Sequence, residues 1–242
     1  MEFDCLGLNH RRINEKIRWA ISKGKERIIL TNVNGQRYIA SGLKAEVRIN
    51  IRGTPGNDLA AFMDGPVIEV EGNAQDAIGN TMNQGKVVVR GDAGDVLGYG
   101  MRGGRLYILG DVGYRVGIHM KAYKDLLPIL IAGGAAKDYL GEYMAGGIII
   151  LLGLTTNRSI IGNYVGSGMH GGVIYIRGKV KKYQLGREVG IRKWTEIDDK
   201  ILDKYLGEYC HDFNLNFKKI RKKKFTKLAP VSYRPYGKFY AY

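Results

Sequence analysis

The chain has 242 residues, of which 45% are hydrophobic, and its formal net charge is +15. It contains no run of about 18 apolar residues and no charged-then-apolar N-terminal pattern, so we expect a cytoplasmic protein with no membrane span and no secretion signal. The basic excess lies at the two ends (+6 in residues 1–52 and +8 in residues 212–242, against −2 in residues 53–172), which argues against a nucleic-acid groove along the middle of the chain.

The first segment, residues 1–41, is predicted to form an N-terminal cap. Residues 10–23 place apolar side chains at helical spacing, which predicts an amphipathic helix. Residues 27–33 read as a strand, and the Asn34-Gly35 pair is typical of a type I′ turn that leads to a return strand at residues 36–40. A covering element of this kind is expected wherever a repeat structure would expose unpaired backbone groups.

The second segment, residues 42–180, repeats one short unit in which two alternating apolar residues precede a glycine. The units are Ile49-x-Ile51-x-Gly53, Ile68-x-Val70-x-Gly72, Val87-x-Val89-x-Gly91, Leu106-x-Ile108-x-Gly110, Ile129-x-Ile131-x-Gly133, Ile149-x-Leu151-x-Gly153 and Ile174-x-Ile176-x-Gly178. The first four glycines are 19 residues apart. Alternation bounded by glycine predicts strands with one buried face, and the fixed interval predicts a repeat architecture.

A unit of 19 residues is too short for a pair of helices or a propeller blade, but it fits one coil of a β-helix. Each strand would then pair in parallel with its counterpart one coil away. Crossovers between parallel strands are almost always right-handed. We therefore predict an all-β solenoid: a right-handed single-stranded β-helix of about seven coils, with α-helical caps at both ends.

Six methionines support the repeat, because they occur once in each unit. They are Met63, Met82, Met101, Met120, Met144 and Met169, with spacings of 19, 19, 19, 24 and 25 residues. Methionine fills irregular gaps in a core, so we predict a column of these side chains inside the solenoid. Adaptable contacts to a partner protein are the alternative interpretation.

The corners of the coils are rich in glycine. The pattern G-x-x-G-x-x-x-G occurs twice, and its members are Gly91, Gly94, Gly98, Gly110, Gly113 and Gly117. Glycine suits corners because it adopts positive φ and permits close backbone approach. Longer gaps near residues 122–128 and 155–166 are predicted insertions, which in solenoids often project from a contact face.

The third segment, residues 181–242, is predicted to be a helical cap followed by a basic, aromatic tail. Thr195-x-x-Asp198 is a capping box that opens a helix to about residue 210, which we expect to cover the far end of the solenoid. Its inward residues are predicted to be Ile197, Ile201, Leu202, Tyr205 and Leu206. A lysine run at residues 218–224 precedes the aromatic residues Tyr233, Tyr236, Phe239, Tyr240 and Tyr242, which we expect to pack on the cap or on a partner.

The glycine corners resemble those of the GXGXG domain family. Gly79-Asn-Thr-Met-Asn-Gln-Gly85 and Gly141-Glu-Tyr-Met-Ala-Gly146 carry the resemblance, which covers roughly residues 30–180. This domain is the C-terminal, right-handed β-helix of the glutamate synthase large subunit, and some archaea and bacteria make it as a separate polypeptide. The same motif occurs in one of the subunits of formylmethanofuran dehydrogenase.

The resemblance implies a supporting role. In glutamate synthase an amidotransferase domain releases ammonia from glutamine, and an FMN and iron–sulfur domain uses it. The β-helix domain lies between them and carries no catalytic residue. For this chain the resemblance implies a non-catalytic scaffold, without a cofactor of its own, that binds amidotransferase and FMN/iron–sulfur synthase subunits. The motif-bearing subunit of a formylmethanofuran dehydrogenase-like complex, or a stand-alone β-helix protein, is the alternative.

Other chemistry is weakly indicated. The strings Gly98-x-Gly100-x-x-Gly103 and Gly166-x-Gly168-x-x-Gly171 match the dinucleotide fingerprint, but each precedes a strand instead of joining a strand to a helix. Ser167 lacks the G-x-S-x-G context of a nucleophile. We therefore expect no catalytic, cofactor or metal residues.

The remaining polar residues have structural explanations. His119 and His170 are expected to be structural, and His10 and His211 show no metal spacing. Cys5 and Cys210 are expected to be reduced thiols. Recurrent aspartates after the strand glycines suit turns. The lysine run is a stronger candidate for docking an acidic partner, or for a solvated face, than for binding nucleic acid, and homo-oligomers are possible.

Overall fold

In a computed structural model that describes residues 1–156 and 159–231, the chain is an all-β solenoid of about six turns. The strands are β1 (Glu2–Asp4), β2 (Arg27–Asn34), β3 (Arg48–Thr54), β4 (Val67–Val70), β5 (Lys86–Val89), β6 (Arg105–Ile108), β7 (Ile129–Ala132), β8 (Ala145–Leu151), β9 (Gly171–Arg177), β10 (Val189–Ile191) and β11 (Phe225–Pro230). The helices are α1 (His10–Ser22), α2 (Glu196–Phe213) and α3 (Phe217–Arg221), with a short 3-10 turn at Lys182–Gln184. None of these helices is long and apolar enough to cross a membrane.

Strands β1 to β9 form one parallel ladder in chain order, and β11 and β10 extend it in antiparallel fashion. The apolar residues of successive units pair directly: Ile49 with Ile68, Ile68 with Val87, and Val87 with Leu106. Because each pairing advances the chain by one 19-residue unit, identical positions stack on the same face. The predicted β-solenoid is therefore confirmed.

The predicted phase of the fifth unit was wrong by one residue. Leu106 pairs with Leu130, and Leu130 pairs with Ile149, so Leu130 and Ala132 face the interior. Ile129 and Ile131 instead lie on the outer face, in a second apolar cluster. A shift of one residue exchanges the two faces of a strand, and here both faces are buried, so alternation could not reveal the phase.

The six predicted methionines lie in the interior cluster and are fully buried. Glycines at the starts of later strands make room for them: a Cβ built on Gly104 would lie 2.7 Å from Met82 Cε, and one on Gly172 would lie 2.6 Å from Met144 Cε. The thioether of one coil therefore occupies the space that the missing Cβ of a later coil leaves open.

The N-terminal segment contains the predicted helix but not the predicted hairpin. Ile13, Ile17 and Ala20 of α1 are buried in the interior cluster, next to the first coil. Residues 36–40 form no return strand; Tyr38 donates its backbone N–H to Asn57 O, 2.9 Å away, in the following coil. Since β2 already pairs in parallel with β1 and β3, the segment after it enters a corner of the solenoid.

Helix α2 lies along the outer face of the sheet, not over the far end as predicted. Its buried side chains join outward residues of β5 to β9 in the second apolar cluster. Tyr209 donates its hydroxyl to Ile108 O at 3.0 Å, and Lys86 pairs with Asp212 at 2.8 Å. Ile197, predicted to face inward, is 66% exposed. Beyond the last coil, the interior cluster contains Val189 and Leu228.

Position along the sheet decides the polarity of its outer face. Under α2 the outward residues include Tyr107, Ile150 and Tyr175, all fully buried. The equivalent outward positions on β3 and β4 are Asn50 and Glu69, which lie outside the apolar cluster that α2 covers. The aromatic tail predicted at residues 233–242 lies outside the described residues.

Asp198 anchors the start of α2. The structure contains the predicted capping box: Thr195 donates its backbone N–H to Asp198 Oδ2 at 2.7 Å. The buried carboxylate also accepts from the Tyr175 hydroxyl at 2.6 Å and pairs with Lys227 at 2.8 Å. Burial alone would raise the pKa of Asp198, but these hydrogen bonds outweigh it and lower the pKa below its usual value.

Met101→Asp should unfold the protein or lower its free energy of unfolding by at least about 4 kcal/mol, because it places an unpaired charge in the interior. Met101→Leu, which conserves volume, should lower it by less than about 1.5 kcal/mol. Urea denaturation followed by circular dichroism measures both. If Met101→Asp were as stable as the wild-type protein, the assignment of Met101 to the interior would be wrong.

Asp198→Asn should lower the free energy of unfolding at pH 7 by about 3 kcal/mol, since it leaves the ammonium of Lys227 without its buried partner. Because the folded-state pKa of Asp198 is lowered, the carboxylate stabilises the fold above its unfolded pKa, and this contribution is lost as pH falls through the folded value. The difference between wild type and variant should therefore shrink below about pH 3.8. Glu196→Gln, at the exposed helix start, is the control.

Candidate functional site

Each coil turns its corner through three residues with positive φ at alternating positions. The triplets are Tyr38-x-Ala40-x-Gly42, Asp58-x-Ala60-x-Phe62, Ala77-x-Gly79-x-Thr81, Val96-x-Gly98-x-Gly100, Arg115-x-Gly117-x-His119, Tyr139-x-Gly141-x-Tyr143 and Tyr164-x-Gly166-x-Gly168. Left-handed backbone of this kind costs a non-glycine residue about 1–2 kcal/mol. The triplets are therefore the structural form of an alternating glycine motif in which other residues replace many of the glycines.

The middle position of the triplet faces the interior. A Cβ on Gly117 would lie 2.4 Å from Ile149 Cδ1, and one on Gly141 would lie 2.6 Å from Ile174 Cδ1. At Gly117 and Gly141 glycine is favoured for two reasons, since the backbone is left-handed and the space is occupied. In the first two triplets Ala40 and Ala60 hold the same position. The predicted corner glycines Gly98 and Gly117 are both middle positions.

The other predicted corner glycines have a different purpose. At Gly91, Gly94, Gly110 and Gly113 a Cβ would lie about 2 Å from the side-chain oxygen of an aspartate or asparagine one coil earlier. These oxygens accept backbone N–H groups of the next coil, as Asp92 Oδ1 does from Asp111 at 2.8 Å and Asp76 Oδ1 from Asp95 at 2.9 Å. The recurrent aspartates thus join successive coils.

On one side of the corners, aromatic rings of successive coils contact one another. His119 lies parallel to Tyr143 with ring centroids 5.2 Å apart, and Tyr99 meets His119 edge-on at 5.7 Å. Tyr139 and Tyr164 stack at 4.9 Å. We call these five residues, with Arg115 and Glu142, the aromatic face.

Arg115 connects the two groups of rings. Its guanidinium carbon lies 4.5 Å from the centroid of Tyr139, and its Nη1 pairs with the buried carboxylate of Glu142. Glu142 directly precedes Tyr143 in the chain. Contacts between side chains of neighbouring coils therefore recur along this face, which carries an internally paired charge.

The aromatic face is strained and exposed at the same time. Arg115, His119, Tyr139, Tyr143 and Tyr164 all have positive φ, although glycine would relieve the strain. Tyr143 is 43% exposed and Tyr164 is 53% exposed, so burial offsets only part of this cost. Positive φ recurs in the triplets of the other coils as well, so the exposed rings that contact one another across coils make this face the candidate functional site.

Sequence reasoning did not find the aromatic face. A signal was present, because Phe62, His119 and Tyr143 each directly precede one of the column methionines. The contacts of Tyr139 with Tyr164 could not be read in this way, since the intervening insertion alters the spacing from 19 to 25 residues.

The motifs set aside in the sequence have structural roles. Ser167 lies inside the last triplet, and both fingerprint strings lead into β6 and β9, not into a helix. His170 Nδ1 lies 3.2 Å from Gly168 O. No group of three or more His, Cys, Asp or Glu residues suited to a metal occurs in residues 1–156 and 159–231.

The two cysteines are buried, free and in different apolar clusters. Burial, with a smaller effect of Asp4, raises the pKa of the Cys5 thiol to about 11, and burial also raises the pKa of Cys210. A protonated, inaccessible thiol is a poor nucleophile. Neither cysteine is therefore suited to covalent chemistry.

Comparison with known proteins gives three findings. The GXGXG motif family matches residues 15–231. An uncharacterised protein of Methanocaldococcus jannaschii is 51% identical over 98% of this chain and 95% of its own length. The ferredoxin-dependent glutamate synthase 2 of Synechocystis is 29% identical over 64% of this chain, but the match spans only 10% of that enzyme.

Gly141→Ala should lower the free energy of unfolding by about 2–4 kcal/mol, because left-handed strain and overpacking against Ile174 add together. Gly7 has the same φ of +70°, but a Cβ there would meet nothing within 4 Å. Gly7→Ala should therefore lower stability by only about 1 kcal/mol. Equal losses in chemical denaturation would contradict the close packing assigned to the middle position.

Proposed function

The chain belongs to the GXGXG motif family, and we propose that it is a non-catalytic scaffolding subunit of a glutamate synthase-like complex. Its partners in this proposal are a glutamine amidotransferase and an FMN/iron–sulfur synthase, and the complex is a cytoplasmic oxidoreductase of glutamate biosynthesis. The main support is the similarity to a segment of the Synechocystis glutamate synthase, a segment that makes up a tenth of that enzyme. In this proposal the partner proteins supply the catalytic chemistry that the matched segment does not carry.

The interior of the solenoid also supports a scaffolding role. Methionine and aliphatic side chains fill it along the coils, and they are almost completely excluded from solvent. Partner recognition therefore falls to the surface. Aromatic residues and arginine are enriched in the buried centres of protein interfaces.

We place the contact with a partner subunit at the aromatic face. Its rings are already held by stacking, so docking would order few additional side chains, which lowers the entropic cost of association. Its one ion pair, Arg115 with Glu142, is internal to the face. An apolar, weakly charged surface on the partner fits this chemistry better than an acidic or a basic one.

Finer features of the fold remain part of this proposal. We infer that the solenoid is right-handed, as parallel crossovers almost always are, and that α1 closes its first end. The parallel ladder of strands begins at β1, whereas the repeat segment was predicted to begin at residue 42.

Two purifications test the scaffolding role: one of the isolated chain, and one of the chain together with its partners from the native cell. The isolated chain should be colourless, without flavin or iron absorbance, and should lack glutaminase activity. Affinity purification from native extract, with mass spectrometry, should recover a glutamine amidotransferase and an FMN/iron–sulfur synthase in fixed stoichiometry. A flavin or iron cluster bound to the isolated chain, or the absence of both enzymes, would contradict the proposal.

Tyr143→Gly tests the docking surface, because it removes a ring and relieves left-handed strain together. It should change the free energy of unfolding by less than about 1 kcal/mol while weakening the association with the recovered partner by at least about tenfold. Ala77→Gly is the matched control, since Ala77 also has positive φ but lies outside the aromatic face. If Tyr143→Gly binds the partner as tightly as the wild-type protein does, the aromatic face is not the docking surface.

A further inference from the structure

A two-lobed cleft lies at the far end of the molecule, on the side opposite the first coil. The lobes have cavity volumes of about 360 and 480 Å³, and Gly153, Thr156, Arg177 and Lys223 line both. Strand β9, the chain that follows it and α3 supply the walls. The cleft is distinct from the aromatic face, none of whose residues lines it.

Among the described residues, every charged side chain that lines the cleft is basic. Its basic residues are Arg177, Lys179, Lys181, Lys219 and Lys223, and no acidic side chain of the described chain lines either lobe. Within the described residues none of the five forms an ion pair. Nearby cations differ, because Arg221 pairs with Asp203 at 2.9 Å and Lys227 with Asp198.

Arg177 lines both lobes, and within the described part of the chain its guanidinium donates to backbone carbonyl groups. Its Nε donates to Ile220 O at 3.2 Å, and its Nη1 donates to Leu152 O at 3.3 Å. Burial without a carboxylate partner lowers the pKa of the guanidinium, which nevertheless stays protonated at neutral pH. A fixed, partly desolvated charge of this kind focuses positive potential into the cleft.

The floor of the first lobe is also preorganised. Gln184 is buried, and its Nε2 donates to Ser159 Oγ at 3.1 Å and to Ile161 O at 3.0 Å. Its Oε1 accepts the backbone N–H of Lys181 at 3.1 Å. The backbone that carries Lys181 is therefore tied to the last coil before any ligand arrives.

We propose that this cleft is a binding site for a phosphate-bearing small molecule. Five cations without an ion-pair partner among the described residues line this small volume, four of them exposed lysines. Such a set favours a ligand that concentrates several negative charges, as a phosphate or diphosphate group does and a single carboxylate does not. A guanidinium and several ammonium groups are the usual side-chain ligands of phosphate. The site is independent of the scaffolding role, because it needs no partner subunit.

Isothermal titration calorimetry of the isolated chain with inorganic pyrophosphate tests the site. Pyrophosphate should bind, and Lys179→Gln combined with Lys223→Gln should weaken binding by at least about tenfold, since each ammonium supplies a charge-assisted hydrogen bond. The control combines Lys218→Gln with Lys222→Gln, which removes the same charge from exposed lysines that line neither lobe. The control should change binding by less than about twofold.

Two outcomes would overturn the proposal. Equal weakening in the two double variants would show that pyrophosphate senses only the net charge of this end of the molecule. Tighter binding of hexaglutamate than of pyrophosphate would show that the cleft accepts an acidic peptide and not a phosphate group. Thermal unfolding of both double variants at the wild-type midpoint would confirm that the comparison is between folded proteins.

Discussion

The close stacking of successive coils is the constraint on which the rest of the structure depends. Parallel pairing in register brings equivalent positions of neighbouring coils together, so any side chain at a corner meets its own counterpart. The chain meets this constraint in two ways. Left-handed triplets turn the corners with glycine or alanine at the middle position, and a second set of glycines admits the carboxylates that bind the next coil.

The same constraint directs function to the surface. The interior is filled by methionine thioethers that occupy the spaces left by glycines, as at Gly104 and Gly172, and the outer face of β5 to β9 is filled by α2. The aromatic face and the basic cleft are two of the surfaces that this packing leaves available. They differ in chemistry, since one presents stacked rings around an internal ion pair and the other presents unpaired cations.

Exposed rings mark one of these surfaces and charge without an ion-pair partner marks the other. Tyr143 and Tyr164 keep a left-handed backbone that glycine would adopt freely, and much of each ring is exposed. Arg177 keeps a partly buried charge that no carboxylate neutralises within the described residues.

The sequence by itself determined the solenoid, the 19-residue coil, the methionine column and the start of α2 at Thr195, because each depends on local periodicity or on a capping box. Only the tertiary structure decided which residues of β7 face the interior, that residues 36–40 form a corner and not a strand, and where α2 packs. Leu130 could not be distinguished from Ile131 while both faces of the strand were apolar. The aromatic face and the basic cleft likewise join residues that are 20 or more positions apart, and such contacts arise only when coils stack and helices pack across strands.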